Sequence, residues 1–186
     1  TQVIDARPGE IMFGLNMVVA KGKTIFVGDT SVNEYPSSEE LAEIAISAAR
    51  VVKMFGFVPK VAFVSHSTFG QPLTSRTKHI KKAVDILKEK NVDFEFDGDM
   101  QPDVALSEEY KSLYPFSKIV GNANILIMPG QHSAAISYKM IKTMSNAKVI
   151  GPLLVGLGLP IEIAPLRSST SEIINLASIA AYSAEV

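Results

Sequence analysis

Between residues 60 and 144 the sequence repeats one pattern three times: a short β-branched or aromatic run, a small polar loop, then apolar residues at helical spacing. This alternation constrains the fold more than any other feature, because parallel strands need crossovers of about a dozen residues, which helices usually supply. In the first unit residues 60–65, KVAFVS, precede Ser67-Thr68-Phe69-Gly70 and an amphipathic helix over 75–90. In the second, residues 94–96 precede an acidic turn at Asp97-Gly98-Asp99 and a helix over 102–110. In the third, residues 124–128, NILIM, precede a loop and a helix over 133–144. Short strands are expected again over 148–150, 153–155 and 161–164, with a last helix over 170–182.

The beginning of the chain reads differently. Residues 11–20 and 24–29 are apolar runs joined by Lys21-Gly22-Lys23, which suits a β-hairpin, and their imperfect alternation points to burial on both faces. Ser37-Ser38-Glu39-Glu40 then supplies a hydroxyl cap and first-turn acids for a helix. Its stripe is Leu41, Ile44, Ala45, Ala48, Val51, Val52 and Phe55, ending at Gly56. The expectation is an α/β fold, a mainly parallel sheet with helices on both faces. The three units share this pattern but no amino-acid sequence repeat, and no low-complexity tract interrupts the chain.

Composition narrows the function classes. With 186 residues and 47% hydrophobic side chains the chain can bury a real core. Its 18 basic and 19 acidic residues leave a formal charge of -1, so no overall field attracts nucleic acid or an anionic membrane. The absence of cysteine excludes a disulfide framework, a thiol nucleophile and a Cys-based zinc site, and suits a cytoplasmic location. Every apolar run is broken well before the roughly 20 residues of a membrane-spanning helix. Because the chain opens at Thr1 and enters an apolar segment almost at once, it reads as a piece of something longer.

Few residues carry chemistry by spacing alone. Asp97, Asp99 and Asp103 could hold Mg2+, yet they equally suit a turn at Gly98 and a helix N-terminus. His66, His79 and His132 lack ligand spacing, Ser65-His66-Ser67 lacks a nucleophile elbow, and Gly156-Leu157-Gly158 lacks the third glycine of a dinucleotide fingerprint. No metal site is expected in this chain. Two loops stand out, Ser67-Thr68-Phe69-Gly70 and Gly130-Gln131-His132-Ser133, because each follows a strand and opens a helix. Their amides and hydroxyls could hold phosphate oxygens, with charge from Lys139 and Arg167, or simply cap the helices.

The segment FVGDTSVNEYPSSEELAEIAISAA resembles the phosphate acetyl/butyryltransferase family, as do VAFVSHSTFG, DGDMQPDVAL, PFSKIVGNANILIM, ISYKMIKTM and VIGPLLVGL, in the family's order. The resemblance implies two subdomains with a cleft between them, a central one over about 33–150 and parts of the other at 1–32 and 151–186. It also implies a catalytic Ser-Arg-Gly segment and a nearby Asp, whose positions fall here on Pro165, Leu166, Arg167 and Glu172. With no hydroxyl at Pro165, no charge at Leu166 and Arg167 one place late, no catalytic residue is expected.

Within the family the chain is most similar to the C-terminal domain of bacterial multidomain NADP-dependent malic enzymes. That similarity implies malate, NADP and divalent metal (Mg or Mn) sites in an N-terminal part outside this sequence. For this chain it implies self-association and acetyl-CoA or CoA as effector, with Ser67, Thr68, Gly70, Gln131, Ser133, Lys139 and Arg167 as candidate contacts. An active phosphate acetyltransferase, joining acetyl phosphate to CoA, and a purely structural dimerisation module are the alternatives.

Overall fold

The computed structural model describes residues 4–185. Strand β1 (Phe13–Ala20) turns through Lys21 and Gly22 into β2 (Lys23–Gly28), Ala20 facing Lys23, so the hairpin loop is one residue tighter than expected. The three repeated units give β3 (Lys60–Val64), β4 (Glu95–Met100) and β5 (Ile125–Ile127), which lie in the order β4-β3-β5-β2, all parallel. Beyond β2 the same sheet continues antiparallel through β1, β6 (Lys148–Val155) and β7 (Ile161–Glu162). The sheet thus changes character at β2: long helical crossovers build one half, and short connections that can only reverse the chain contribute to the other.

Consecutive residues of the parallel strands enter different cores, as strands buried on both faces require. Val61, Phe63, Ile125 and Ile127 point to α1 (Ser38–Met54), α2 (Ser75–Glu89) and α6 (Thr170–Glu185), whereas Ala62, Val64, Leu126 and Met128 point to α3 (Pro102–Leu106) and α5 (Gln131–Ser145). The expected α1 stripe packs in the first core, and the helix opens on a capping box: Glu40 N–H donates to Ser37 Oγ at 3.1 Å and Ser37 N–H to Glu40 Oε2 at 2.6 Å.

Two local readings change. The acidic stretch is not a turn but the body of β4, whose register shifts opposite Phe63 and Val64. Gly98, at φ 153°, lies so close to β3 that a Cβ there would sit 2.8 Å from the Phe63 carbonyl oxygen, so glycine marks close backbone approach rather than a reversal. The helix expected over 102–110 divides at extended Ser107 into α3 and α4 (Glu108–Lys111). The Ala105 carbonyl, which would accept from residue 109 in a continuous helix, accepts instead from Ala123 N–H at 2.9 Å.

Candidate functional site

The segments of strongest family character close their own hydrogen bonds. In FVGDTSVN, Asp29 is buried, and its carboxylate accepts from the amides of Gly14 (2.8 Å), Ser31 (2.8 Å), Val32 (3.1 Å) and Asn33 (2.6 Å) and from Asn33 Nδ2 (2.6 Å). After β3, Ser67 and Thr68 are buried too. Ser67 Oγ donates to Asp99 Oδ2, Gly70 N–H donates to Asp99 Oδ1 at 3.0 Å, and Gln101 N–H donates to Thr68 Oγ1 at 3.3 Å. The three aspartates do not converge. Asp97 accepts from Gly98 N–H (3.0 Å) and Lys118 N–H (2.7 Å), while Asp103 accepts from Val104 N–H (2.9 Å). Among the described residues no cluster of three or more His, Asp or Glu could hold a metal ion.

The other candidate contacts are scattered along α5 and the loop before α6. Gln131 N–H donates to the Asn33 carbonyl (3.0 Å) and Ser133 Oγ to the Gly130 carbonyl (2.9 Å), both at the opening turn of α5. The Lys139 ammonium lies 5.9 Å from the Tyr138 ring centroid, and Arg167 is exposed. His79 bridges Pro36 and Ser38, with Nδ1 3.0 Å from Ser38 Oγ, which fixes α2 to the start of α1. His132 pairs with Glu34 at 2.8 Å on the surface.

Pro165 and Glu172 do share a cavity. It measures ≈ 80 Å³ and is walled by Asn16 of β1, Tyr138 and Lys142 of α5, and Gly151 of β6. Glu172 sits on the first turn of α6 and completes a cap there. Ser169 N–H donates to Glu172 Oε2 at 2.7 Å, Ser169 Oγ to the same oxygen at 2.9 Å, and Glu172 N–H to Ser169 Oγ at 3.3 Å. These Ser169 contacts, the backbone one first, hold the Glu172 carboxyl below its ordinary range. Leu166 is fully exposed at 107%.

Asn16, Tyr138 and Lys142 were not singled out by sequence reasoning. Asn16 left one trace, a lone amide inside the apolar run IMFGLNMVVA. A larger cavity, ≈ 390 Å³, lies between α1, β6–β7 and α6, lined mostly by apolar side chains. Burial pushes the carboxyl of Glu162 there from 4.5 up to about 7, opposed by a hydrogen bond from Leu154, and its Oε2 has no hydrogen-bond partner.

An α/β sheet with this topology, and a cleft wall built from β1, β6, α5 and the start of α6, places the molecule among the phosphotransacetylase-like folds. Residues 1–181 match the phosphate acetyl/butaryl transferase family, and the chain belongs to that family. A phosphotransacetylase from Streptococcus pyogenes superposes with a TM-score of 0.93 at 31% identity, covering 99% of this chain and 57% of its own. The NADP-dependent malic enzyme of Rhizobium meliloti is 46% identical over 181 residues, 97% of this chain but 24% of its own length. The phosphate acetyltransferase of Clostridium acetobutylicum is 34% identical over 194 residues, 99% of this chain and 58% of its own length. The chain thus spans about a quarter of the malic enzyme relative.

Proposed function

We propose that this chain is the regulatory phosphotransacetylase-like part of an NADP-dependent malic enzyme, one that converts malate to pyruvate and CO2, and that it binds acetyl-CoA as an allosteric inhibitor without transferring the acetyl group. The observation that carries the reading is the site at Pro165 and Glu172. Attack of a thiol on an acyl phosphate needs a base for the thiol proton and a fixed charge for the oxygens. Here Pro165 has no hydroxyl, Leu166 points an apolar side chain to solvent, and the Glu172 carboxylate is engaged with Ser169. Losing a preorganised charge contact costs about 3 kcal/mol, roughly a hundredfold in rate, and more than one is lost.

A cleft without turnover retains value if its ligand distinguishes two states of an assembly, because coupling is a difference in affinity between those states. In this reading NADP and Mg or Mn are held by malic-enzyme domains outside these residues, and the chain pairs with a second copy of itself in the cytoplasm. Ser67, Thr68, Gly70 and Ser133 act through backbone and shape, since their three hydroxyls are engaged within the chain, while Gln131, Lys139 and Arg167 are the direct contacts.

Similarity to the Clostridium acetobutylicum enzyme favours an active phosphate acetyltransferase as the second reading. Calorimetry with acetyl-CoA, alongside an assay of acetyl phosphate plus CoA, separates the two. Saturable binding with turnover at background supports the regulatory reading, and turnover at enzyme-like rates refutes it. Inhibition of malate oxidation by acetyl-CoA in the natural polypeptide tests the coupling.

A further inference from the structure

On the far side of the sheet from α5, one carboxyl is left short of partners. Glu162 lies on β7 and accepts a hydrogen bond from the backbone of Leu154 on the paired strand β6. Its Oε2 is buried and meets no donor. An acceptor left unmade in the interior is costly, and more so when it carries charge, so a donor from outside the chain is the expected partner. Glu162 belongs to the wall of the ≈ 390 Å³ cavity between α1, β6–β7 and α6.

The surroundings decide what that donor belongs to. Val51, Phe55, Leu153 and Ile179 make the walls largely apolar, and a trapped water needs two to four polar partners to stay. The neighbouring polar groups are committed elsewhere. Arg50 donates to Glu10 at 2.8 Å and to Ser47 Oγ at 3.0 Å, Arg7 Nε to the Leu157 carbonyl at 3.1 Å, and Ser178 Oγ to the Ile174 carbonyl at 2.9 Å. Tyr182, on the last turns of α6, is half exposed. Arg50 and Glu10 cancel, and Arg7 balances an ionised Glu162, so the charged lining groups set up no net field against a cation. A carboxylate ligand would bring like charge to Glu162, and an alcohol would leave the acid uncompensated. The space is about ten times one water's share of roughly 30 Å³ and falls within the size range of small-molecule sites.

We propose that this cavity binds a small amphipathic amine, an alkyl- or aralkylammonium ion, whose ammonium group donates to Glu162 while its chain fills the apolar space. The cation turns an unpaired buried acid into a paired one, so binding favours the carboxylate and sends its proton to solvent. The inference stands apart from the acetyl-CoA reading, since none of the candidate contacts for that ligand lines this cavity.

The test uses the natural polypeptide that carries these residues, titrated in a calorimeter with hexylammonium chloride and, as controls of similar size, with hexanol and sodium hexanoate at constant ionic strength. Hexylammonium is expected to bind saturably at about pH 8.5 and at least about tenfold more weakly at about pH 5.5, where a Glu162 carboxyl titrating at about 7 holds its proton. Proton release on binding should appear as a dependence of the measured heat on the ionisation heat of the buffer. Glu162→Gln keeps the size of the side chain but cannot ionise. It is expected to weaken hexylammonium binding by about tenfold or more at the higher pH and to erase the pH dependence. Ser178→Trp, at an exposed position on the lining of the cavity, takes up its space and is expected to abolish binding, with circular dichroism reporting that the fold survives. Hexylammonium that fails to bind, that binds no better than hexanol or hexanoate, or that binds Glu162→Gln or Ser178→Trp as tightly as wild type overturns the inference. Acetyl-CoA titrated into the same proteins should bind both variants as it binds wild type, so the failure of either proposal leaves the other standing.

Discussion

The loop at the tips of β3 and β4 and the two cavity walls of the antiparallel half treat buried polar groups in opposite ways, although Ser117 Oγ and Asn122 Oδ1 before β5 are unpartnered too. At the tips of β3 and β4, Ser67, Thr68 and Asp99 are buried and bonded to one another or to backbone amides. Around β1, β6, β7 and α6, Asn16 Nδ2 and Glu162 Oε2 are buried without partners, each on the lining of a cavity. A polar cluster whose carboxylate is met by donors of its own loop specifies that loop. An unsaturated one in a roomy wall is where a ligand or further polypeptide contributes most. The hydroxyls of Ser67 and Thr68, attractive in the sequence, therefore belong to the architecture of the loop between β3 and α2, and both cavities with an unpartnered buried group lie on the antiparallel side.

Removing the hub of the saturated cluster should have the largest effect. Asp99→Ala strands the Ser67 hydroxyl and the Gly70 amide, both bonded to its carboxylate. Hydrogen bonds to charged groups are worth about 1.5–3 kcal/mol each, so a loss of roughly 3–5 kcal/mol is expected in urea unfolding. Asp99→Asn, which keeps an acceptor for Gly70, should lose less than half of that. If both variants unfold at the wild-type midpoint, the contrast between the loop and the cavity walls fails.

On the unsaturated side, Glu162 makes stability depend on pH. Its folded carboxyl titrates at about 7 against an ordinary 4.5, so between those values the folded state holds a proton that the unfolded chain has released. Stability from this group is complete below about 4.5 and falls as pH rises through about 7. Because the side chain is partly exposed, solvent screening reduces the effect to about 1–2 kcal/mol. Glu162→Gln should remove that decline, seen as wild-type minus variant stability across the same interval. Parallel curves would mean that Glu162 is solvated or already paired, and the contrast would narrow to Asn16 alone.

What the sequence shows plainly is local. Runs such as KVAFVS and NILIM, each followed by a helical stripe, are visible because strand and helix periods differ and the crossovers are long. The capped start of α1 is visible for the same reason, since Ser37 and Glu40 sit three residues apart. Asp97-Gly98-Asp99 misleads because glycine among acids suits a turn, while the true reason for glycine is the approach of β3, a neighbour about 35 residues away in sequence. Asn16, Lys142 and Glu172 meet only because β1 pairs with β6 and α5 and α6 flank that pair, and no spacing in the chain encodes such a meeting. Pro165 and Glu172 were reachable through family resemblance, which transfers three-dimensional neighbourhood that periodicity lacks.

The smallest effect tests whether Glu172 is a cap or a spare base. Ser169 holds its carboxylate by a backbone and a side-chain hydrogen bond, and α6 begins at the next residue. Ser169→Ala removes the hydroxyl that accepts from Glu172 N–H, which should cost about 1 kcal/mol as N-cap losses do. It should also let the Glu172 carboxyl rise partway toward its ordinary range, since the backbone contact remains. Carboxyl carbon shifts followed by NMR titration would report that movement. A Glu172 carboxyl that titrates identically in Ser169→Ala would show it to be free in solution. A free carboxylate beside Pro165 would then be available to take a proton, and the balance would tip toward residual acetyl transfer.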